Sequence, residues 1–305
     1  MTEDRATRVQ RNVAVIGLGQ MGRGIARNCD SAGRLGAAWD VDGDALQRAG
    51  LSLSVALKPP SAFGPLKAVV FVVPSSAEIA TILREPGGLL DQPHERQILI
   101  DLTTSHPMAT RELAALARAT GREYVDCGMT GGAKAADAGV LTLMAGGKPA
   151  IIDECRPILA AIADTIIQVG DTGTGHAMKL IHNMICHTIF LATAEGCRLA
   201  ERVGIPIETA LAVINSGNAR SFVSRTRFPD HVVSRTFDGR SRTANLAKDL
   251  TMAADLARQA GQPCAYSALA ANILQRAMQE GLGEQDFTRL YQHLDRLLAT
   301  DAELG

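Results

Sequence analysis

The chain has 305 residues, a length that allows two domains of about 100–200 residues each. Hydrophobic residues make up 46% of the sequence and charged residues 21%, a balance that is ordinary for a globular protein with substantial cores. Because 31 basic residues oppose 32 acidic ones, the formal net charge of -1 excludes a general basic field for binding nucleic acid or an anionic membrane.

The first half of the chain alternates short apolar runs with helical segments. We predict strands at 12–17, 37–40, 68–73, 98–102, 123–127, 141–145 and 165–169. Helices are predicted between several of them, at 21–31, 76–83 and 108–120. This strand–helix–strand rhythm indicates an α/β domain with a Rossmann-type, doubly wound and mostly parallel sheet.

The second half of the chain has a helical periodicity, and we find no convincing strand after about residue 174. The predicted helices lie at 175–203, 206–216, 246–260, 266–279 and 287–299. The first of them is a long helix of about 43 Å that joins the two domains. The polar segment 216–242 is expected to be a surface loop with one short helix. We therefore predict an α/β domain at 1–173 and an all-helical domain at 174–305.

The N-terminal residues and the most apolar run indicate whether the protein is secreted or spans a membrane. Residues 1–12 are polar, and no apolar stretch precedes the first predicted strand, so we expect no signal peptide. The most apolar long run, 178–194, is shorter than the roughly 20 apolar residues that a membrane span needs. We expect a cytoplasmic protein that binds neither membrane nor nucleic acid.

The six cysteines are scattered and form no CxxC pair. This spacing argues against a zinc ribbon, a thioredoxin-like motif and a disulfide scaffold. Because free Cys residues are usually buried, we expect core thiols. The histidines form neither an HxxxH nor an HExxH pair, so the sequence predicts no metal site.

The first predicted strand runs into GLGQMG, a GxGxxG motif that opens a helix. Its first glycine allows a tight turn, the second lets the backbone approach a pyrophosphate, and the third lets helix and strand pack closely. The helix N-terminus offers N–H groups and a partial positive charge to the phosphates. We assign dinucleotide binding to Gly17, Leu18, Gly19, Gln20, Met21 and Gly22, with Val73 and Pro74 at the end of the third strand.

Asp40 ends the second predicted strand, 18 residues after Gly22. A carboxylate at this position accepts hydrogen bonds from the adenosine ribose hydroxyls and repels a 2′-phosphate. No Arg stands at 41–44 to receive such a phosphate. The sequence therefore predicts NAD as the cofactor in preference to NADP.

Three further motifs follow along the chain. DLTTSHP stands at 101–107, DCGMTGG at 126–132, and a G-x-G-x-x-x-K-x-x-x-N spacing at 173–183. Together with the glycine loop, in this order, they resemble the motifs of the β-hydroxyacid dehydrogenase family, which includes 3-hydroxyisobutyrate dehydrogenase and tartronate semialdehyde reductase. The resemblance runs from Val13 to about Pro263. It implies an NAD-dependent oxidoreductase acting on a small-molecule hydroxyacid or the corresponding semialdehyde.

The resemblance implies a role for each residue that matches a family motif. Lys179 is the catalytic general acid or base, and Asn183, one helical turn further on, orients the substrate. Partial burial of Lys179 in an apolar run favours its neutral amine and lowers its pKa toward the working pH. The substrate carboxylate is assigned to Thr130, Gly131 and Gly132.

Softer matches complete the predicted site. Thr104 is expected to face the nicotinamide riboside, although an ordinary helix N-cap is an equally simple interpretation. A KDL match at 248–250 places Lys248 beside the cofactor, held by Asp249. Phe237 matches an aromatic of the family and is assigned to the substrate, as is Ser241, which stands where a second aromatic is usual.

The sequence departs from the family pattern at several positions. Gly128 and Met129 replace the usual Pro-Val before the substrate loop. His182 replaces the first residue of the usual Asn-Asn pair, and we interpret it as a packing residue. Arg240 and Arg242 flank Ser241, which indicates either a more anionic substrate than 3-hydroxyisobutyrate or a basic surface loop.

Two other functions are compatible with a two-domain NAD-binding chain. One is an imine reductase, a group similar in architecture that lacks the lysine found here at 179. The other is a catalytically silent NAD-binding sensor, which would be expected to lose Lys179, Asn183 or the glycine turn. The apolar surface of the helical domain further predicts a homodimer or homotetramer.

Overall fold

The computed structural model describes residues 11–299, which divide between Lys179 and Leu180 into two compact units. The predicted boundary between 173 and 174 lies a few residues earlier, at the start of the long helix, and stays a prediction. The expected lack of a signal peptide concerns a segment of which residues 1–10 lie outside the described part of the chain.

The first unit contains one eight-stranded sheet in the order β3-β2-β1-β4-β5-β6-β7-β8. All neighbouring strands are parallel except β6 and β7, which pair antiparallel. The predicted doubly wound, mostly parallel sheet is therefore confirmed. The strands are β1 (Val13–Ile16), β2 (Leu35–Trp39), β3 (Ala56–Leu57), β4 (Ala68–Phe71), β5 (Ile98–Asp101), β6 (Glu123–Thr130), β7 (Leu141–Gly146) and β8 (Ala163–Gly170).

Both faces of this sheet are covered by apolar side chains. Along β1, Val13 and Val15 join one hydrophobic cluster, whereas Ala14 and Ile16 join the cluster on the other face. Because successive strand residues point to opposite faces, burial on both sides requires a continuous apolar run. The helices of this unit are α1 (Gly22–Ser31), α2 (Gly43–Arg48), α3 (Ser76–Arg84), α4 (Pro107–Ala119), α5 (Gly132–Ala138) and α6 (Pro149–Leu159).

Some elements of the first unit escaped prediction. The two-residue strand β3 and the helices α2, α5 and α6 were not among the predicted segments. Strand β6 continues to Thr130, three residues beyond its predicted end at 127. Glycine is disfavoured in strands, but pairing with β7 keeps Gly128 within the strand.

The described residues of the second unit, which begins in the later part of α7 (Thr174–Arg202), form helices as predicted, with one isolated antiparallel bridge between Arg242 and Asp286. A cluster of rings, with Phe190 against Phe228 and Phe287, lies in its core. The further helices are α8 (Ile207–Ser216), α9 (Thr243–Gln259), α10 (Ala265–Gln279), a 3-10 turn (Phe287–Arg289) and α11 (Leu290–Leu298).

The segment 216–242 was expected to be a surface loop with one short helix; a helix is present, but its placement at the surface needs correction. An 11-residue π-type helix, Val223–Val233, occupies its middle. Val223, Phe228 and Val232 of this helix are buried in the core of the second unit. Their wide spacing along a polar segment is the reason that a period of 3.6 residues did not reveal them.

The expected core thiols are confirmed for Cys29, Cys127, Cys155 and Cys197, which are buried, whereas the other two are half-buried. All six cysteines are free. Burial raises the pKa of the Cys29 and Cys155 thiols to about 12, so both stay protonated and unreactive. Within residues 11–299 no helix is long and apolar enough to cross a membrane.

Candidate active site

The glycine loop between β1 and α1 is packed so closely that side chains would not fit. Gly17 has a φ of +92°, and a Cβ atom built on it would lie 2.3 Å from the carbonyl oxygen of Val72. A Cβ atom on Gly22 would lie 1.9 Å from the carbonyl oxygen of Gly17. By contrast, Gly19 faces open space. The loop thus forms a backbone cradle, open on one side, that fits a pyrophosphate.

Asp40 follows β2 directly and is tied to this loop. Its Oδ2 accepts a hydrogen bond of 2.6 Å from the backbone N–H of Leu18, and its Oδ1 accepts one of 2.9 Å from Asp42. Each carboxylate oxygen can accept two hydrogen bonds, so both oxygens retain a lone pair for ribose hydroxyls. The carboxylate therefore braces the loop as well as standing where the cofactor fingerprint requires it.

The other predicted cofactor residues of the first unit lie at the same edge of the sheet. Val73 and Pro74 follow β4, and Thr104 follows β5. Strands β2, β1, β4 and β5 are neighbours and parallel, so their carboxyl ends meet at one edge. A long hydrogen bond of 3.4 Å from the N–H of Val73 to Oγ1 of Thr103 joins two of these turns.

The predicted carboxylate-binding turn begins where β6 ends, at Thr130. Gly131 and Gly132 have φ values of +117° and +69°, a backbone conformation that favours glycine. A Cβ atom on Gly131 would also lie 2.6 Å from the Cβ of Ala135. The turn keeps Thr130 and Gly132 partly exposed and leads into α5, so its backbone is accessible to a small anion.

Lys179 lies against β6, close to this turn. A Cβ atom built on Gly128 would lie 2.5 Å from the Cβ of Lys179 and 2.8 Å from the carbonyl oxygen of Gly175. The first turns of α7 therefore cross β6 at Gly128, where only a glycine leaves enough room. Gly128 departs from the usual family residue at the position where the stem of Lys179 packs.

Asp126 caps α7 from the same strand. Its Oδ1 accepts a hydrogen bond of 2.7 Å from the N–H of Gly173, and its Oδ2 accepts one of 2.9 Å from that of His176. Burial raises the pKa of Asp126, although His176 and the two backbone donors oppose this effect. Asp126, Gly128 and Thr130 alternate along β6, so they lie on one face of the strand.

A buried polar network lies beneath the start of α7, and the sequence interpretation missed it. His176 is fully buried, with Nδ1 2.7 Å from the hydroxyl of Thr110 and Nε2 3.2 Å from the carbonyl oxygen of Asp101. The hydroxyl of Tyr124 donates to Oδ2 of Asp101 at 2.8 Å. Burial and the neighbouring Asp101 raise the pKa of Tyr124. The network fixes the N-terminal turn of the helix that carries Lys179.

In the second unit, Asn183 is 7% exposed, and both the nitrogen and the oxygen of its side-chain amide form hydrogen bonds. Its Nδ2 donates to Oδ2 of Asp249 at 2.6 Å, and its Oδ1 lies 3.1 Å from Nδ1 of His182. The interpretation of His182 as a packing residue missed this bond. Asp249 was expected to hold Lys248; within residues 11–299 it instead binds Asn183, which corrects that expectation.

His187, one turn after Asn183, faces the same carboxylate. Its Nε2 lies 3.9 Å from Oδ2 of Asp249. Burial lowers the pKa of His187, but the neighbouring Asp249 and Cys186 outweigh this effect and leave it above its ordinary value. Neither Nε2 of His187 nor Oδ1 of Asp249 has a hydrogen-bond partner among the described residues. No sequence pattern pointed to this pair.

The predicted substrate residues Phe237 and Ser241 lie between the π-type helix and α9. The guanidinium of Arg289 stacks over the ring of Phe237, with its carbon 5.1 Å from the ring centroid. The hydroxyl of Ser241 accepts a hydrogen bond of 3.3 Å from Nδ2 of Asn245. Arg242 forms an exposed ion pair with Glu284 at 2.8 Å, which favours the interpretation as a surface residue.

In the described part of the chain, no three His, Cys, Asp or Glu side chains are grouped so as to hold a metal ion. The polar groups that could hold a ligand are those of the glycine cradle, the Thr130 turn, Lys179 and the Asn183 cluster. The groups of the first unit alone can bind anions and move a proton, which is chemistry that hydride-transfer enzymes need.

Two family models match successive parts of the chain. Residues 12–170 match the model described as the NAD binding domain of 6-phosphogluconate dehydrogenase. Residues 173–294 match the model described as NAD-binding of NADP-dependent 3-hydroxyisobutyrate dehydrogenase. The chain belongs to the β-hydroxyacid dehydrogenase family. The resemblance found in the sequence motifs is thereby confirmed.

Several relatives match the chain over most of their length. 2-(Hydroxymethyl)glutarate dehydrogenase from Eubacterium barkeri is 27% identical, covering 96% of this chain and 98% of that protein. Human mitochondrial 3-hydroxyisobutyrate dehydrogenase is 29% identical, covering 92% and 86%. A solved structure of 3-hydroxyisobutyrate dehydrogenase from Mycobacterium tuberculosis with L-serine has a TM-score of 0.82 at 26% identity, covering 92% and 98%. The chain is thus an NAD(P)-dependent oxidoreductase.

Proposed function

We propose that the chain catalyses the reversible, NAD-dependent oxidation of a small β-hydroxyacid to its semialdehyde or ketoacid, with Lys179 as the general acid and base. The observation that carries this proposal is the packing of the Lys179 stem against Gly128, two residues before Thr130 on β6. It is supported by relatives named for 2-(hydroxymethyl)glutarate and 3-hydroxyisobutyrate, both of which are β-hydroxyacids.

The proposed reaction divides among the residues of the site. The hydroxyl of Thr130 and the backbone of the Gly131-Gly132 turn bind the substrate carboxylate. The neutral amine of Lys179 accepts the hydroxyl proton during oxidation, and its ammonium form returns a proton to the carbonyl oxygen during reduction. Asn183, held by Asp249, orients the substrate. Catalysis by these groups rests on positioning, not on a covalent intermediate.

A nicotinamide cofactor, when bound, supplies the hydride acceptor for oxidation. The residues present fit such a group, because Gly19 opens on free space within a loop that is otherwise closely packed. We propose that this loop and Asp40 hold NAD in preference to NADP, with Val73, Pro74, Thr104 and Lys248 as further cofactor contacts.

The exposed side of the helical unit supports a proposed homodimer or homotetramer. Ile185 and Leu199 on α7 are 51% and 61% exposed, and Val203, directly after its end, is 66% exposed. Leu199 and Val203 stand four residues apart, and exposed apolar patches usually mark an interface. We expect light scattering to give twice or four times the chain mass, and Leu199→Glu to lower it. A wild-type monomer would contradict the proposal.

The central test is turnover of Lys179→Ala, with absorbance at the NADH band as the readout and a panel of hydroxyacids as substrates. Loss of the acid and base should lower kcat by about 10²- to 10⁴-fold, while NADH affinity stays unchanged. Lys148→Ala, which breaks an exposed ion pair with Glu123, serves as the control. Retained turnover in Lys179→Ala would overturn the assignment. Turnover of cyclic imines would favour an imine reductase, and no turnover at all a silent sensor.

A further inference from the structure

Two successive residues of α1 each hold the C-terminal end of a different helix. Nδ2 of Asn28 donates to the carbonyl oxygens of Ala136 at 2.8 Å and Asp137 at 3.3 Å, near the end of α5. Nε of Arg27 donates to the carbonyl oxygen of Ala49 at 2.5 Å, directly after α2. Because adjacent residues on a helix do not face each other, α1 reaches a different neighbour with each of them.

The contact between α1 and α5 is close as well as hydrogen-bonded. Gly24 stands one turn before Asn28, so both lie on the face of α1 that meets α5. A Cβ atom on Gly24 would lie 2.8 Å from the carbonyl carbon and oxygen of Ala136, so a larger residue does not fit. The last four carbonyl groups of a helix lack an N–H partner within that helix, and Asn28 supplies one to α5.

The position of α5 depends on this contact. The helix has only seven residues, Gly132–Ala138, and helices shorter than about 12 residues are marginal by themselves. A Cβ atom on Gly131 would lie 2.6 Å from the Cβ of Ala135, so the Thr130 turn packs on the first turn of α5. A shift of α5 would therefore move the turn to which the proposed function assigns the substrate carboxylate.

We propose that Asn28 is a positioning residue for the substrate carboxylate, because it fixes α5 and the Thr130 turn against the helix that follows the cofactor loop. This inference rests on the proposed function, which assigns the carboxylate to that turn. The contacts of Asn28, the glycine cradle, the turn and Lys179 all lie in the first unit. Arg27 instead fixes α2, which follows Asp40, so α1 supports both the proposed cofactor and carboxylate positions.

A binding measurement separates the carboxylate from turnover. 3-Hydroxyisobutyrate and 3-hydroxyisobutyramide differ only in the group that the Thr130 turn is proposed to bind. With saturating NADH neither compound is oxidised, so calorimetry gives the Kd of each, and the Kd of NADH is measured separately. The proteins are the wild type, Asn28→Ala and Asn28→Asp, of which Asn28→Asp keeps the size of the side chain and removes its N–H donors.

Arg27→Met is the matched control. It removes hydrogen bonds from the neighbouring residue of α1 to the carbonyl oxygens of Arg48 and Ala49 and leaves the contacts of α5 intact. Urea denaturation compares the free energy of unfolding of all variants. If the hydrogen bonds from α1 only stabilise the fold, the control should behave like the Asn28 variants.

Both Asn28 variants should bind 3-hydroxyisobutyrate about 10-fold more weakly, because a displaced turn loses a hydrogen bond to a charged group. The Kd of 3-hydroxyisobutyramide should change much less, since its hydrogen bonds are between neutral groups and are weaker. The Kd of NADH should stay at the wild-type value. Arg27→Met should lower the free energy of unfolding to a similar extent and keep the wild-type Kd for 3-hydroxyisobutyrate.

The outcomes separate this inference from the proposed function. An unchanged Kd for 3-hydroxyisobutyrate in both Asn28 variants would overturn the positioning role and leave β-hydroxyacid oxidation intact. The same rise in Arg27→Met, or an equal rise in the Kd of NADH in the Asn28 variants, would also overturn it, since general loosening of α1 would then be the cause. Failure of the wild type to distinguish this acid, or any other β-hydroxyacid, from its amide would instead overturn the carboxylate assignment of the proposed function.

Discussion

Gly128 of β6 and Lys179 of α7 approach so closely that the strand has no room for a side chain at this position. A Cβ atom on Gly128 would lie 2.5 Å from the Cβ of Lys179. Gly128 lies in a strand and Lys179 in a helix, so neither element can shift without moving the other. The contact sets the distance between the proposed proton-transfer group and the turn at Thr130.

We therefore expect Gly128→Ala to impair turnover. The added methyl group must displace the stem of Lys179 or the carbonyl of Gly175, and a displacement of about 1 Å at a catalytic group can cost about 10²-fold in rate. The measurement is kcat with saturating cofactor and substrate, together with NADH affinity, which should stay unchanged.

Gly43→Ala is the matched control for this substitution. Gly43 begins α2, has no atom within 4 Å of a built Cβ and lies outside the proposed catalytic groups. It should retain wild-type turnover. Wild-type kcat in Gly128→Ala would show that α7 can shift at no cost, which would contradict the close packing.

Local signals account for the parts of the site that the sequence predicted. The glycine cradle is a contiguous run between a strand and a helix, and Asp40 follows the next strand at the expected spacing. Lys179 and Asn183 came from a motif within one helix. In each case the residues that make the feature are near each other in the chain, so spacing alone carries the information.

The unpredicted parts depend on pairs that are remote in sequence. Asp126 accepts a hydrogen bond from Gly173, 47 residues later and just before α7, and Asn183 binds a carboxylate 66 residues away. The π-type helix packs into the core of the second unit, although its segment was expected to be a surface loop with one short helix. Periodicity reports which face of an element is buried, but it does not report what that face meets, so no local pattern could reveal these contacts.

Asp126 gives a stability prediction with a defined pH dependence. Asp126→Asn keeps one acceptor for the cap of α7 and loses the other, which should lower the free energy of unfolding by about 1 kcal/mol. The pKa of Asp126 is raised by burial in the folded state, so ionising it destabilises the fold. Its contribution is fully present below the ordinary value of 3.8 and falls as pH rises through the folded-state value.

The variant does not titrate at this position, so the stability difference should shrink as pH rises from 3.8 through the folded-state value. Urea denaturation of the wild type and the variant at a series of pH values measures this difference in the free energy of unfolding. A difference that grows with pH would mean that the folded state favours the ionised carboxylate, contrary to the direction inferred from its burial. Glu123→Gln, which removes a half-buried carboxylate of the same strand that pairs with Lys148, controls for general charge effects.

His187 is a base, whereas Asp126 is an acid, but its contribution to stability should also fall as pH rises. Its pKa is raised because Asp249 and Cys186 outweigh the effect of burial. The stabilisation is therefore fully present below the ordinary value of 6.5 and is lost as pH rises through the higher folded-state value. The wild type should lose stability relative to His187→Gln over that window. NMR titration of the imidazole in the wild type checks the direction independently, and a midpoint below 6.5 would contradict it.

Asp40 offers a test of cofactor preference, which matters because one matching family model is described as NADP-dependent. Asp40→Asn keeps an acceptor for the N–H of Leu18 but removes the charge that would bind ribose hydroxyls and repel a 2′-phosphate. We expect kcat/KM with NAD to fall about 10- to 100-fold, while kcat/KM with NADP rises.

The control is Asp42→Asn, which removes a charge two residues away that caps α2 and pairs with Arg48. It should leave the ratio of the two efficiencies unchanged. Equal use of NAD and NADP by the wild type would show that this carboxylate does not select the cofactor.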